Sequence, residues 1–574
     1  MTDQAMERFD TLELGLEDPE RAPRSSAAFR TPRMPRPRLA PRTLDLAGLA
    51  ALTAVLGFLW GRAAGMSFWL DEGISVGGAS HPLRDIPHLL LQDGSPPLYY
   101  LLLNRWTSLF GTSNVAVHML SLVFALATIP AALWAGRSLF DRRTGWMCAL
   151  VVAINPFVAY YATEARMYSM AIMLAVLATA CFLHAFVFGR RRYLPWFVLF
   201  QALLLYTHNW GLLLAGGAGA ALLVLLVLTT DRRRLLIDGI LGFGGVALLY
   251  APWVPSIAYQ VGQKLQPWGR KGDLFWVRDD VARMMGGKET FIVLGLGAGI
   301  GLATLLQGRG WRSRPAMAAI GLAIIPFVAL AAGWTVSVWA YRYLAVIAAP
   351  FMLLAGIGLA RSGRIGLAAL GVAAFLSAPL AVKGPPYQKS NPAAVSARLS
   401  PQLPRGDLVV LPDFQMVPLV AHYLPDGMRY ATAAGPVPDE DIVDWRGSMD
   451  RVRNADPAIT IPPLVDAVPP GGHVLVMCPG MYSDADRSGL GQSDERDSVT
   501  SSATAAPQKV AAKVTPVPKE VPFQPLINQR CREAEDVLAS HPDLQVQEVL
   551  TATGGVRYGS VRAQLVVKQP AGTG

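Results

Sequence analysis

Charge is scarce in this sequence. Asp, Glu, Lys and Arg make up 16% of its 574 residues, against about 25% in a typical soluble chain. With 52% hydrophobic residues beside it, that shortage excludes an ordinary soluble fold. Cysteine is rarer still, at four residues, none at a spacing that suggests a metal site. Cys148 and Cys181 fall in apolar blocks and read as small core residues. Cys478 and Cys531 fall in the polar tail, where an extracytoplasmic location permits a disulfide without requiring one. The chain has no repeat at a fixed period and no inverted pair of broken apolar helices of the transporter kind. Its start does not read as a signal peptide either. Residues 1–20 are acidic and polar, and 21–43 are rich in Arg and Pro, which predicts a disordered cytoplasmic arm over 1–43.

What the chain does have is apolar blocks of roughly 15–22 residues, long enough to cross a ~30 Å hydrocarbon layer as helix. Backbone groups in lipid must be satisfied within their own segment, so these blocks are expected to be helical. The formal net charge of +10 does not point to nucleic acid. Its arginines form short clusters between apolar blocks, as topology signals do.

Those clusters thread the chain. The stretches 137–143, 189–192, 231–234, 308–314 and 361–364 all belong inside, and they alternate only if the apolar block 96–111 does not cross. Spans are then expected at 44–62, 115–136, 144–161, 168–188, 193–207, 210–230, 235–256, 291–307, 315–333, 342–360 and 365–382, about eleven in all. Residues 63–114 become one external loop with interfacial helices. The loop 257–290 is external too, yet it carries Lys264, Arg270, Lys271, Arg278, Arg283 and Lys288. Two readings stand for it: long loops obey the charge rule poorly, or the loop meets an anionic ligand.

After residue 382 the composition turns polar. DLVVLPDF and GGHVLVMCPG read as buried strands, NQRCREAEDVLAS as an amphipathic helix, and VQEVLTATGGVRYGSVRAQLVV as strand–turn–strand. Residues 484–522 are rich in Ser, Ala, Pro and Thr and read as a disordered insert. The expectation is an α-helical polytopic membrane protein over 44–382, with a small extracytoplasmic α/β domain over 383–574.

This threading puts the unusual polar residues on one face. Asp71-Glu72 follows the first span, Asp93 precedes two prolines, Glu164-Ala165-Arg166-Met167-Tyr168 forms an outer turn, His208-Asn209 the next, and Arg342 opens a later span. Ionisable groups at membrane depth usually mark function. Asp71-Glu72 is the leading candidate, because a carboxylate beside apolar groups is raised towards the range of a general base. A solvated pair just beyond a helix end is the alternative. Arg166 and Arg342 have the planar fork that grips phosphate, or else a local ion pair and a snorkelling side chain. Asp93 also fits a simple turn, and His208 a satisfied interface histidine. No set of metal ligands is indicated.

In these stretches the sequence resembles bacterial glycosyltransferases of the GT-C class, the protein mannosyltransferase and aminoarabinose transferase-like group (family 39-like). FWLDEGIS, DGSPPLYYLLLNRW, NPFVAYYATEARMYSM, LYTHNWGLLL, APWVPSIAYQ and AYRYLAVIAAPF carry the resemblance, in that order, through most of 44–382. It implies inverting transfer of a mannose-like sugar or a pentose from a polyprenyl-phosphate donor to an envelope glycan, lipid or protein hydroxyl. The site implied is on the outer face of a bacterial plasma membrane, with no cofactor. Asp71 would be the base and Glu72 its catalytic neighbour. Arg166, Arg342, Glu164, Tyr168, Asp93, His208 and Tyr259 would bind donor phosphate and sugar. Many relatives have a basic residue before the Pro-Pro pair, and Ser95 stands there in this chain. A transporter or flippase of lipid-linked sugars is the rival reading.

Overall fold

The computed structural model describes residues 41–263, 273–307, 310–335, 339–383, 389–480, 523–550 and 560–570. The insert 484–522, most of the arm 1–43, and Lys264, Arg270 and Lys271 lie outside the described residues. The chain divides into two units, Met1–Gly48 and Leu49–Gly574. The candidate site and the sheet both belong to the second.

The helices are α1 (Pro41–Gly61), α2 (Leu70–Ser80), α3 (Ile86–Asp93), α4 (Leu98–Phe110), α5 (Asn114–Leu139), α6 (Arg142–Ile154), α7 (Pro156–Tyr161), α8 (Tyr168–Phe182), α9 (Leu194–Leu205), α10 (Gly211–Leu228) and α11 (Arg232–Tyr250). There follow α12 (Val254–Gly262), α13 (Leu274–Met284), α14 (Lys288–Leu306), α15 (Arg314–Thr335), α16 (Ala348–Arg361) and α17 (Gly363–Lys383). Among the described residues seven helical stretches are long and apolar enough to cross a membrane, and the helices starting at Ala348 and Gly363 are shorter apolar ones. The protein is a multi-pass membrane protein.

Every expected span lies on helix, but several are interrupted for local reasons. The span expected over 144–161 breaks at Asn155, whose side chain caps Phe157 N at 2.8 Å. Pro156, at the first position of α7, cannot donate to the helix before it. The span 168–188 ends in a π-turn over Leu183–Val187, and 342–360 opens with a 3-10 turn over Tyr341–Val346. With 12 residues, α9 falls short of the ~20 that a crossing needs. Packing follows lipid rules, in which close approach replaces hydrophobic drive. A Cβ on Gly358 would lie 1.8 Å from Gly297 O, so α14 and α16 touch backbone to backbone.

The block 96–111 lies on α4, within an excursion from the helices. His118 Nδ1, near the start of α5, lies 2.7 Å from Ala64 O, just past α1. Residues 65–113 therefore leave and return at one end of the helices. Within that excursion, α4 is tied to neighbouring turns by Leu98 N donating to Tyr206 O at 3.0 Å. Three Arg clusters meet elsewhere: Arg190 donates to Ser138 O and Arg234 to Gly189 O, each at 2.8 Å.

The C-terminal part holds α18 (Pro392–Leu399), α19 (Val417–Tyr423), α20 (Ser448–Asn454), α21 (Pro457–Thr460), α22 (Pro462–Asp466) and α23 (Phe523–Ser540). Its strands are β1 (Leu408–Val410), β2 (Arg429–Thr432), β3 (Gly435–Pro436), β4 (His473–Pro479), β5 (Leu544–Leu550) and β6 (Val561–Lys568), in the order β3-β2-β1-β4-β6-β5. β1 is parallel to β2 and β4 and buried throughout, which is why DLVVLPDF reads as a continuous apolar run. Cys478 on β4 and Cys531 on α23 are free and buried in one core cluster. The α/β part seats directly on α2. A Cβ on Gly73 would lie 2.6 Å from Leu419 Cα, and one on Gly77 would lie 2.2 Å from Asp441 O. The small residues of DEGISVGGAS allow that seat.

Candidate active site

The excursion between α1 and α5 presents Asp71 and Glu72 from the first turn of α2. Trp69 is extended and Glu72 Oε2 accepts its N–H at 3.1 Å, which closes the helix start. The other oxygen, Oε1, meets Ala165 N at 2.8 Å, His118 Nε2 at 2.7 Å and Lys389 Nζ at 2.6 Å. Ala64 O can only accept, so His118 Nδ1 carries the proton shared with it. Burial alone would raise the Glu72 carboxyl, but Lys389 and His118 reverse that and hold it at about 2. Glu72 is thus an enclosed carboxylate with both oxygens bonded.

Asp71 differs from its neighbour. It lines a cleft with Trp69 and Arg342, opposite Asp413, Gln415 and Trp445 of the α/β part. The cleft encloses about 220 Å³, less than the roughly 300–1,000 Å³ that surround a drug-sized ligand. It therefore has room for only one end of a molecule of that size. Asp71 Oδ2 stands 3.6 Å from Arg342 Nη2. Arg166 Nη1 donates to Asp71 O at 3.3 Å, Ser75 Oγ at 3.1 Å and Tyr100 Oη at 3.2 Å, and Tyr100 donates in turn to Asp93 Oδ2 at 3.2 Å. The His208 ring packs 5.9 Å from that of Tyr168 and 4.9 Å from that of Tyr343. Burial, with Arg166 and Arg342 nearby, pushes His208 down to about 3, so it is a neutral imidazole.

Asp71, Asp93, Glu164, Arg166, Tyr168, His208 and Arg342 therefore gather in one place. Tyr259 does not join them. It is 40% exposed on α12 and meets Arg446 of the α/β part. The described arginines of the basic loop are also engaged elsewhere, Arg278 with Asp279 at 3.0 Å and Arg283 with Asp280 at 3.9 Å. Ser95 hydrogen-bonds Asp93 instead of supplying a charge. Among the described residues no group of three or more His, Cys, Asp or Glu converges as metal ligands would.

Several buried atoms in this cluster have no hydrogen-bond partner: Asp71 Oδ2, Glu164 Oε2, Arg166 Nε, Arg342 Nε, Tyr168 Oη and Asn209 Oδ1. Buried polar atoms are nearly always bonded, so such a concentration calls for an explanation. Burial pushes Glu164 up to about 7, Lys389 opposing and the charges of Glu72 and Asp71 assisting. The sign follows. The folded value lies above the ordinary 4.5, so the stability Glu164 contributes is full below about pH 4.5 and is lost as pH rises through about 7. The loss is on the order of 3 kcal/mol. Glu164→Gln should therefore flatten the fall in Tm between about pH 5 and 8. An unchanged slope in calorimetry would remove the assignment.

Sequence reading missed Lys389 and His118. Lys389 lies in KGPPYQKSNP, where a lysine looks solvated. His118 lies inside an apolar block and looks like core. The only local signal is that both are polar where α2's Glu72, an acid, demands partners.

No family model matches the chain, and no curated protein does. Solved structures do match. ArnT from Cupriavidus metallidurans in the apo state gives a TM-score of 0.52 at 15% identity, covering 76% of this chain and 93% of that one. Bound to undecaprenyl phosphate it gives 0.54 at 15% identity, covering 75% and 93%. The archaeal oligosaccharyltransferase AglB from Archaeoglobus fulgidus, in complex with an inhibitory peptide and a dolichol-phosphate, gives 0.50 at 12% identity, covering 75% and 70%. At such identities the likeness is one of architecture, and on that architecture the chain has the GT-C fold.

Proposed function

We propose that the protein is a membrane glycosyltransferase. It moves a mannose-like sugar or a pentose from a polyprenyl-phosphate donor to a hydroxyl of an envelope glycan, lipid or protein. One observation carries the reading: Asp71 and Arg342 line one cleft, and the buried Nε atoms of Arg342 and of Arg166, which bonds the Asp71 carbonyl, have no hydrogen-bond partner. That is a base beside two cations, as displacement of a lipid phosphate requires. A neighbour of the same fold, ArnT, has been seen with undecaprenyl phosphate bound.

The chemistry then runs in one displacement. Asp71 takes the proton of the acceptor hydroxyl, whose oxygen attacks the anomeric carbon. The bond from that carbon to the phosphate oxygen breaks, and its electron pair leaves with polyprenyl phosphate. Arg342 and Arg166 meet the charge that develops on that group. Glu72, fully bonded, holds the start of α2 rather than moving a proton. With the Arg clusters inside, the site faces the outer side of a bacterial plasma membrane.

A carrier of lipid-linked sugars is the competing reading. A carrier places its polar groups near the bilayer midplane between broken helices. Here they sit in turns and in the loop between α1 and α5, which favours the enzyme. Stereochemistry tests the single displacement. The product's anomeric configuration, read by NMR, should be opposite to the donor's; retention would overturn the mechanism.

A further inference from the structure

We propose that Lys389 is a positioning residue for Asp71, a buried ammonium through which seating of the α/β part sets the geometry of the reacting carboxylate. The inference rests on the reading of Asp71 as the base.

Lys389 comes shortly after the last membrane helix, α17, and its side chain is 2% exposed. An ammonium has three donor hydrogens, and three groups face it: Glu72 Oε1 at 2.6 Å and Thr163 O at 2.7 Å, which accept, and His118 Nε2 at 3.2 Å, which meets the same Glu72 oxygen. Those partners belong to three separate pieces of the membrane part: α2, the turn before α8, and α5. The next two residues extend the clasp in both directions. Ser390 Oγ donates to Phe68 O, and Ser67 Oγ donates to Ser390 O at 3.0 Å. Asn391 exchanges both of its amide bonds with Val561 of β6, at 3.0 and 2.7 Å. Residues 389–391 thus join the sheet of the α/β part to the two residues before Trp69 and to Glu72.

Stability alone does not account for such a residue. A buried ion pair contributes little net stability compared with apolar packing, because both charges must first be desolvated. A plain tether would be served as well by a leucine. What the ammonium adds is direction. It fixes Glu72 Oε1, Glu72 Oε2 fixes the amide of Trp69, and Asp71 lies between those two residues. A shift of about 1 Å at a reacting group costs on the order of 100-fold in rate.

The test uses the full-length protein in lipid nanodiscs and kinetics with a polyprenyl-phosphate sugar donor. Lys389→Met should lower kcat about 100-fold and leave the donor KM within about threefold, since the donor's cations are intact. Hydrogen exchange of the α2 amides should quicken, while that of α8 stays unchanged. A kcat within twofold of the wild type, in a folded variant, overturns the proposal. Should Lys389→Met fail to fold, Glu72→Gln with Lys389→Met removes both charges together. In that double variant a 100-fold loss supports the role and full kcat overturns it. If the wild type itself transfers no sugar, the glycosyltransferase reading fails separately. Exchange then decides for the clasp, and unchanged α2 protection overturns it.

Discussion

Asp71→Asn should lower kcat for sugar transfer by about 1,000-fold or more, the upper part of the range for loss of a positioned general base. The amide has the shape of the carboxylate, and Asp71 Oδ2 makes no hydrogen bond to the described residues. What the substitution removes locally is the 3.6 Å approach to Arg342. Folding and insertion should therefore be retained. Polyprenyl phosphate should bind as well as before or more tightly, because a negative charge beside its phosphate is gone. Kinetics and a binding isotherm on the same preparation separate these effects. Transfer within tenfold of the wild type would remove the base assignment.

Arg342→Gln should act on the ligand instead. A charge-assisted hydrogen bond contributes about 1.5–3 kcal/mol, so affinity for undecaprenyl phosphate should fall about 10- to 100-fold. Arg342 is the sharper choice of the two arginines. Arg166 is already bonded through Nη1 to Asp71 O, Ser75 and Tyr100, and its removal would also strip Asp93 of its nearest cation. Loss of Arg166 thus mixes a structural defect with a binding one. For Arg342→Gln, titration in nanodiscs should show weaker binding with little change in Tm. A change in Kd below threefold would take Arg342 out of the phosphate site.

The contrast between what could and could not be read in the sequence has physical causes. The Arg clusters predict on which side each turn belongs, and so 96–111 reads as part of a loop. In the structure His118 Nδ1 lies 2.7 Å from Ala64 O, so residues 65–113 leave and return at one end of the helices. The same alternation brings Asp71, Asp93, Arg166, His208 and Arg342 to one face, because turns on one side of a bundle must lie near each other. Tyr259 shows where this logic fails: the right side of the membrane is not the right side of α12. Lys389 shows a deeper limit. Its partner Glu72 is 317 residues away, and no period or cluster near a lysine in a Pro-rich stretch encodes a bond across that distance. Helix breaks fall between these cases. Asn155-Pro156 is a visible cap and breaker, whereas the π-turn at Leu183–Val187 has no comparable mark.

A donor labelled in both its sugar and its polyprenyl chain decides most directly whether this site performs chemistry or transport. The protein is reconstituted in liposomes with that donor and an envelope-glycan acceptor, and the two labels are followed separately. The account predicts that they part: sugar label enters the acceptor, lipid label is recovered as polyprenyl phosphate, and Asp71→Asn stops both. Labels that stay joined while the intact lipid-linked sugar moves between leaflets, in wild type and Asp71→Asn alike, would contradict it.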